Sequence, residues 1–238
     1  MSNQISILAN GTNGLDGVDG KNGDPGLNGL KGVSGKCNWS SSCDPATSGH
    51  NGSNGGQGTD GTSGENGSNA PSISLNIEVL SCDLLSIECK GGDGGLAGKG
   101  GNGGAGGNGG AGGDGDKAGT HCTTGGNGGD AGDGGNGGNA GNGGKGGNGG
   151  NVTVWVNQKQ GRADVVASVT GGSGQAGGVG GAYGEPGTPG AAGTGTCSGK
   201  PGPSAGNSGT TGTPGSAGEP GAAGNSGTFI TKHLNNRS

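Results

Sequence analysis

Residues 143–160, GGKGGNGGNVTVWVNQKQ, change character at a single position. Up to Gly150 the stretch is mostly glycine, which ordinarily reads as flexible linker. From Val152 it alternates, with Val152, Val154 and Val156 at the period of two that marks a half-buried strand. A linker has no reason to feed a strand without a turn between them. The glycine tract therefore calls for a regular structure of its own.

Composition sharpens that demand. The chain has 73 glycines in 238 residues, with 24% hydrophobic and 2% aromatic content, so an ordinary apolar core is out of reach. Three classes remain: a collagen-like triple helix, a disordered glycine-rich tract, or a stack built on backbone contacts. The formal net charge is −5, Arg162 and Arg237 are the only arginines, and the lysines are scattered singly. Nucleic acid, which requires a clustered cationic footprint, is not an expected partner. No segment approaches the ~18 apolar residues of a membrane span. The opening MSNQISILANG has neither a basic start nor an apolar core of signal-peptide length. Six cysteines in a chain with so little core nevertheless predict disulfides and an extracellular or surface-exposed location.

Glycine falls at every third position in six blocks, at 11–35, 49–67, 91–115, 125–150, 171–193 and 206–227. The third and fourth are mostly Gly-Gly-X, and the fifth slips phase near 177–181. Between blocks, cysteine-bearing loops (36–48, 116–124, 194–205) alternate with strand pairs (72–89, 152–169), and the terminal segments 4–9 and 228–233 complete the strand set. Aligning SILANGTNG, SIECKGGDG and ASVTGGSG makes Gly11, Gly91 and Gly171 equivalent, 80 residues apart each time. Ile5, Leu85 and Val165 then correspond, as do Ile7, Ile87 and Ala167. The chain reads as one repeat domain with copies at 4–80, 84–156 and 164–233.

Glycine costs ~1 kcal/mol per position in an α-helix and gives a central strand nothing to pack. The regular state with period three is polyproline II, which has no internal hydrogen bonds and must pair sideways. Collagen needs imino-rich X and Y positions, and only GEPGTPG and GTPGSAGEPG resemble that. Flexible linkers do not hold one phase for 25 residues. The expected fold class is therefore a bundle of about six antiparallel polyproline-II/polyglycine-II helices, with short β-strands gathered at one end and essentially no α-helix. Rods of ~25 residues would be roughly 75 Å long, and the double-glycine blocks 91–115 and 125–150 would be the interior ones. The strand-cap core is assigned to Ile5, Ile7, Ile73, Leu75, Ile77, Leu85, Ile87, Val152, Val154, Val165 and Val169, with the first and last strands close together.

GGNGGAGGNGGAGGDG and GGNGGDAGDGGNGGNAGNGGKGGNGG resemble the runs of polyglycine-II bundle proteins: snow-flea antifreeze proteins, phage tail-fibre tip adhesins and mycobacterial glycine-rich repeats. The resemblance covers the triplet blocks and implies an architecture rather than an activity. The antifreeze family lacks these strand pairs, the phage tips lack a cysteine framework, and the mycobacterial proteins carry a helical domain absent here.

Specific chemistry is sparse. G-x-G-x-x-G at 98–103 has no following helix, so a phosphate loop is not expected. GGNGGD at 125–130 begins a calcium-repeat pattern that then fails, and Asp16, Asp19, Asp130 and Asp133 read as a solvated face. Cys37, Cys43, Cys82, Cys89, Cys122 and Cys197 contain no C-x-x-C, which argues against zinc. Cys37 with Cys43, Cys82 with Cys89, and Cys122 with Cys197 are candidate pairs among fifteen connectivities. Trp39, His121 and Tyr183 are candidate tip contacts, against the alternative of capping the rods. No catalytic, cofactor or metal site is assigned, and no enzyme activity is expected. The leading expectation is a structural or adhesive protein, a fibre or surface-appendage subunit that self-associates through its terminal strands. Ice binding through the Ser/Thr/Ala-rich sixth block, and a receptor-binding tip, are the alternatives.

Overall fold

The structure, a computed structural model, describes residues 3–40, 42–160 and 162–233. Those residues hold ten strands in four sheets and no helix. The strands are β1 (Gln4–Leu8), β2 (Lys36–Cys37), β3 (Cys43–Asp44), β4 (Ile73–Leu80), β5 (Leu84–Glu88), β6 (Asp116–Ala118), β7 (His121–Thr123), β8 (Val152–Lys159), β9 (Asp164–Ser168) and β10 (Phe229–His233). The expectation of a bundle of antiparallel helices is thereby corrected: the regular secondary structure is β, and it occupies both ends of the molecule. The glycine blocks, here runs 1 to 6 in chain order, are extended segments whose backbone bonds all go sideways to other runs. That is the bonding logic of a sheet, in which a segment is stable only beside its neighbours.

Two layers result. Runs 1, 3 and 5 lie parallel in one layer, joined by bonds such as Gly23 N–H to the Asn102 carbonyl (2.8 Å) and Gly103 N–H to that of Ala182 (2.8 Å). Runs 2, 4 and 6 form the other, with Gly58 N–H on Asn136 (2.8 Å) and Gly137 N–H on Thr213 (2.8 Å). Consecutive runs cross between layers and are antiparallel, as where Gly101 N–H donates to Thr59 and Gly138 N–H to Gly101 (2.9 and 2.8 Å). Runs 3 and 4 each bond to four others, whereas runs 1 and 6 each bond to two. Glycine density follows this count. In run 3 a Cβ on Gly100 would overlap the Gly138 carbonyl and one on Gly101 the Lys21 carbonyl, so two positions per triplet admit only hydrogen.

The same layers continue into the strands. β1-β5-β9 form one parallel sheet that feeds runs 1, 3 and 5, and β10-β8-β4 form a second that receives runs 6, 4 and 2. The 80-residue equivalence is the physical register: Ile5 pairs with Leu85 and Leu85 with Val165, while Ile7 pairs with Ile87 and Ile87 with Ala167. β8 is central in its own sheet, pairing Val152 with both Ile73 and Phe229. The facing sheets bury Ile87, Val152, Val154, Val156 and Cys89 to 1% exposure or less. β1 and β10 do not meet as expected. They belong to different sheets, and each pairs with a single strand. Parallel neighbours come from successive repeats, so the chain's two ends fall on opposite flanks. At the far end, two antiparallel hairpins, β2-β3 and β6-β7, return run 1 into run 2 and run 3 into run 4.

Candidate functional surfaces

One exposed row in each run, a residue every third position, carries a second bonding system. Asn13 Oδ1 accepts the Asp93 backbone N–H (2.9 Å), and Asp93 Oδ1 accepts that of Ser173 (2.7 Å). Asn22, Asn102 and Ala182 repeat the relay, as do Asn28, Asn108 and Thr188. In the other layer Asn51 accepts from Asp130 and Asp130 from Asn207. The side chains satisfy backbone donors that the glycine bonds leave over. Asp16, Asp19, Asp130 and Asp133 are therefore more than a solvated face. Each accepts a backbone N–H, from Leu96, Lys99, Asn207 and Thr210 respectively, at 2.7 Å. The signal in the sequence was Asn or Asp recurring about 80 residues apart at one triplet position. The Thr210 N–H and then its hydroxyl hold the Asp133 carboxyl below the ordinary carboxylate range, and Thr194 does the same for Asp114.

The two flanks differ. On the flank of runs 1 and 2, backbone N–H groups of Thr12, Val18, Lys21, Leu27 and Val33 donate to the hydroxyls of Ser68, Thr62, Thr59, Ser53 and Thr47 (2.7–2.8 Å). On the flank of runs 5 and 6, the outermost rows are Gly171, Gly174, Gly177, Gly180, Tyr183, Pro186 and Pro189 in run 5, and Ser208, Thr211, Pro214, Ala217, Pro220, Ala223 and Ser226 in run 6. Their N–H groups donate to nothing among the described residues. The four prolines of runs 5 and 6 all stand in these rows, where a missing N–H forfeits no bond. They also deny a further run its donors, as proline does on an edge strand. Neither outer row carries a charge. Glu219 lies on the adjoining row, its N–H on Asn142 Oδ1 (2.8 Å).

At the hairpin end Cys37–Cys43 and Cys122–Cys197 are disulfides. The first closes β2-β3; the second ties β7 to the 194–205 loop across 75 residues. Asp116 joins the two hairpins by accepting the Cys37 N–H (2.9 Å). That bond and the Lys117 N–H keep the Asp116 carboxyl below its usual range. Trp39 is 83% exposed, with its ring over Gly119, whose φ of 59° makes the β6-β7 turn. A side chain at Gly119 would crowd that ring and strain the backbone. His121 lies next to this turn, half-buried. Tyr183 does not join them, because it sits midway along run 5 on the proline-bearing flank.

In the sandwich, Leu85, Ile87, Val152 and Val154 are buried, and Ile7, Ile73, Leu75, Ile77, Val165 and Val169 pack around them half-buried. Ile5 is 49% exposed because β1 is an edge strand. It lines an apolar cleft of about 270 Å³ with Leu75, Ile77 and Cys82. Val156, read from its alternation as part of a half-buried face, belongs to this core, and so do Leu80 and the two thiols, which the sequence reading did not place there. Cys82 and Cys89 are free and buried, which corrects their assignment as a candidate pair. Extended β5 separates them by about 20 Å, and a disulfide needs Cα atoms within ~7 Å. Burial raises the Cys89 thiol pKa, so it packs as a small apolar residue. Among the described residues no three His, Cys, Asp or Glu side chains gather as metal ligands. Among the described residues no helix is long and apolar enough to cross a membrane.

No family model matches the chain, and no curated protein matches it. Among solved structures, the chain is similar to the nine polyproline type II helical bundle springtail antifreeze protein from Granisotoma rainieri, at 25% identity over 74% of this chain and 93% of that one, with a TM-score of 0.14.

Proposed function

We propose that this protein is a non-enzymatic ice-binding protein that acts through the flank of runs 5 and 6. The observation that carries the reading is the run 6 row of Ser208, Thr211, Pro214, Ala217, Pro220, Ala223 and Ser226. It is small, uncharged and exposed, and repeats at every third residue on a backbone bonded to runs 4 and 5. A surface that orders water into a lattice must be regular and immobile and must not bind single waters tightly. Uncharged short side chains on a cross-bonded scaffold supply those properties, and ordering such a surface costs little side-chain entropy. The disulfides favour an oxidising, extracellular setting for this role.

Thermal hysteresis measured on concentrated protein tests the reading. We expect a freezing-point gap with faceted crystals, and its loss in Thr211→Lys with the fold intact by circular dichroism. Absence of hysteresis in the unsubstituted protein sinks it.

A second reading, an adhesive or structural subunit, is favoured by the outer edges of β1 and β10, which pair with nothing among the described residues, and by exposed Trp39. Deleting residues 229–233 would then abolish filament formation seen by electron microscopy.

A further inference from the structure

The flank of runs 1 and 2 carries a row of run 1 residues whose side chains neither the fold nor the proposed ice face uses. Thr12, Leu15, Val18, Lys21, Asp24, Leu27, Leu30 and Val33 follow successive glycines. Their carbonyls are held by run 2 N–H groups at 2.8–2.9 Å for Leu15, Val18, Lys21, Leu27, Leu30 and Val33. The row is therefore rigid, and it stands on the outermost run. Leu15, Val18, Leu27, Leu30 and Val33 are 68–78% exposed. Together they present on the order of 600 Å² of apolar surface, the upper end of what a monomer shows. In the middle stand Lys21 and Asp24, which make no ion pair among the described residues; the pairs there are Lys31 with Asp114 and Lys90 with Glu88.

The order of this row is self-complementary. Read outward from the midpoint between Lys21 and Asp24, it runs Lys, Val, Leu, Thr in one direction and Asp, Leu, Leu, Val in the other. We propose that this row is a homodimer interface, in which a second copy packs antiparallel about a two-fold axis passing between Lys21 and Asp24. Each Lys21 then meets the other copy's Asp24, Val18 meets Leu27, Leu15 meets Leu30, and Thr12 meets Val33. A two-fold interface uses the same patch twice, so the patch must complement its own reversal. Alternative registers fail on charge. An axis on Asp24 opposes two carboxylates and sets Lys21 against Leu27, and an axis on Lys21 opposes two ammonium groups. Like-charge contacts of this kind select register more strongly than the matched pair adds affinity. Covering this surface fully on both copies buries up to about 1,200 Å², the lower bound for a specific interface. The outer rows of runs 5 and 6 remain exposed on both copies, so the dimer stands or falls separately from ice binding.

Sedimentation velocity on the full chain at about 10–100 μM tests the interface, with circular dichroism showing that each variant folds. The unsubstituted protein is expected to sediment as a dimer. Lys21→Asp and Asp24→Lys are each expected to weaken it by at least about tenfold. Mixing the two variants should restore a heterodimer, since both central contacts then again set a carboxylate against an ammonium group. The double variant K21D/D24K should dimerise alone. A monomeric unsubstituted protein would overturn the proposal. So would single variants that dimerise undiminished, a mixture that fails to rescue, or a monomer that pellets with phosphatidylcholine vesicles through Leu27 and Leu30.

Discussion

The strand sandwich and the glycine runs answer one question in opposite ways within the same two layers. The sandwich removes side chains from water: Ile87, Val152, Val154 and Val156 interdigitate between sheets, and the glycines stop where this begins. The runs remove backbone from water. They press chains together until N–H and C=O groups pair in both lateral directions, and any Cβ between them would overlap a carbonyl. A chain poor in apolar residues can thus be stable if its close contacts are hydrogen bonds. Because each bond adds only about 1 kcal/mol net, many must repeat without error.

Substitutions separate the two modes most sharply inside run 3. Gly101→Ala forces a methyl group against the Lys21 carbonyl, and its displacement breaks bonds to runs 2 and 4 together. We expect a loss of more than about 4 kcal/mol, or failure to fold, read as a collapse of the thermal transition. The adjacent Asn102→Ala keeps the backbone path and costs only the acceptor for the Ala182 N–H, about 1 kcal/mol. Similar losses for this adjacent pair would erase the distinction between buried glycine and outward triplet positions.

In the sandwich, Ile87→Ala leaves a cavity rather than a clash, with an expected loss of about 2–5 kcal/mol in denaturant unfolding. Ile5→Ala, at the half-exposed edge, should cost well under half as much. Removing the Cys122–Cys197 bridge with Cys122→Ser should cost about 2–4 kcal/mol, since the disulfide closes a long loop. The short Cys37–Cys43 loop should matter less, and calorimetry of each single-bridge variant measures the order.

The smallest effect is on pH. Asp133 and Asp114 have folded pKa values below the ordinary carboxylate value, so folding releases protons from them. Their contribution is fully present above the unfolded carboxylate range and is lost as pH falls through the lowered folded values. Stability should therefore be flat from neutrality to about pH 5 and decline below it. Asp133→Asn, which keeps an acceptor for Thr210 but not its charge, should lower the neutral plateau slightly and shallow the decline in acid.

The stacking of repeats and the places of glycine were legible in the sequence, whereas the class, expected as a bundle of antiparallel helices with strands at one end, was not. The 80-residue offset that aligns Gly11, Gly91 and Gly171 is the spacing at which β1, β5 and β9 pair, because equivalent residues of stacked repeats become lateral neighbours. Double glycine in runs 3 and 4 marked the segments with most neighbours. The partnership of the terminal strands was misread for a physical reason. Alternation in Val152, Val154 and Val156 reports that one face is buried, and says nothing about whether the adjacent strand comes from the same repeat or the next. The sandwich thiols were equally hidden, since Cys82 and Cys89 look like any even set of cysteines until β5 holds them apart. Tyr183 was assigned to the tip although the 171–193 block already places it midway, and the structure keeps it there, away from the hairpins.

Local periodicity sufficed to say where the chain is extended, which positions must be glycine, and that three similar units stack. Those are properties of a backbone and its immediate sterics, and each repeat states them again. Other features came into being only when distant segments packed: alternate runs lie parallel, Asn and Asp side chains relay bonds across a layer, and one flank ends in prolines while the other ends in a self-complementary apolar row. They depend on which segments become neighbours, and lateral hydrogen bonds, unlike helical ones, leave no trace of their partner in the local sequence.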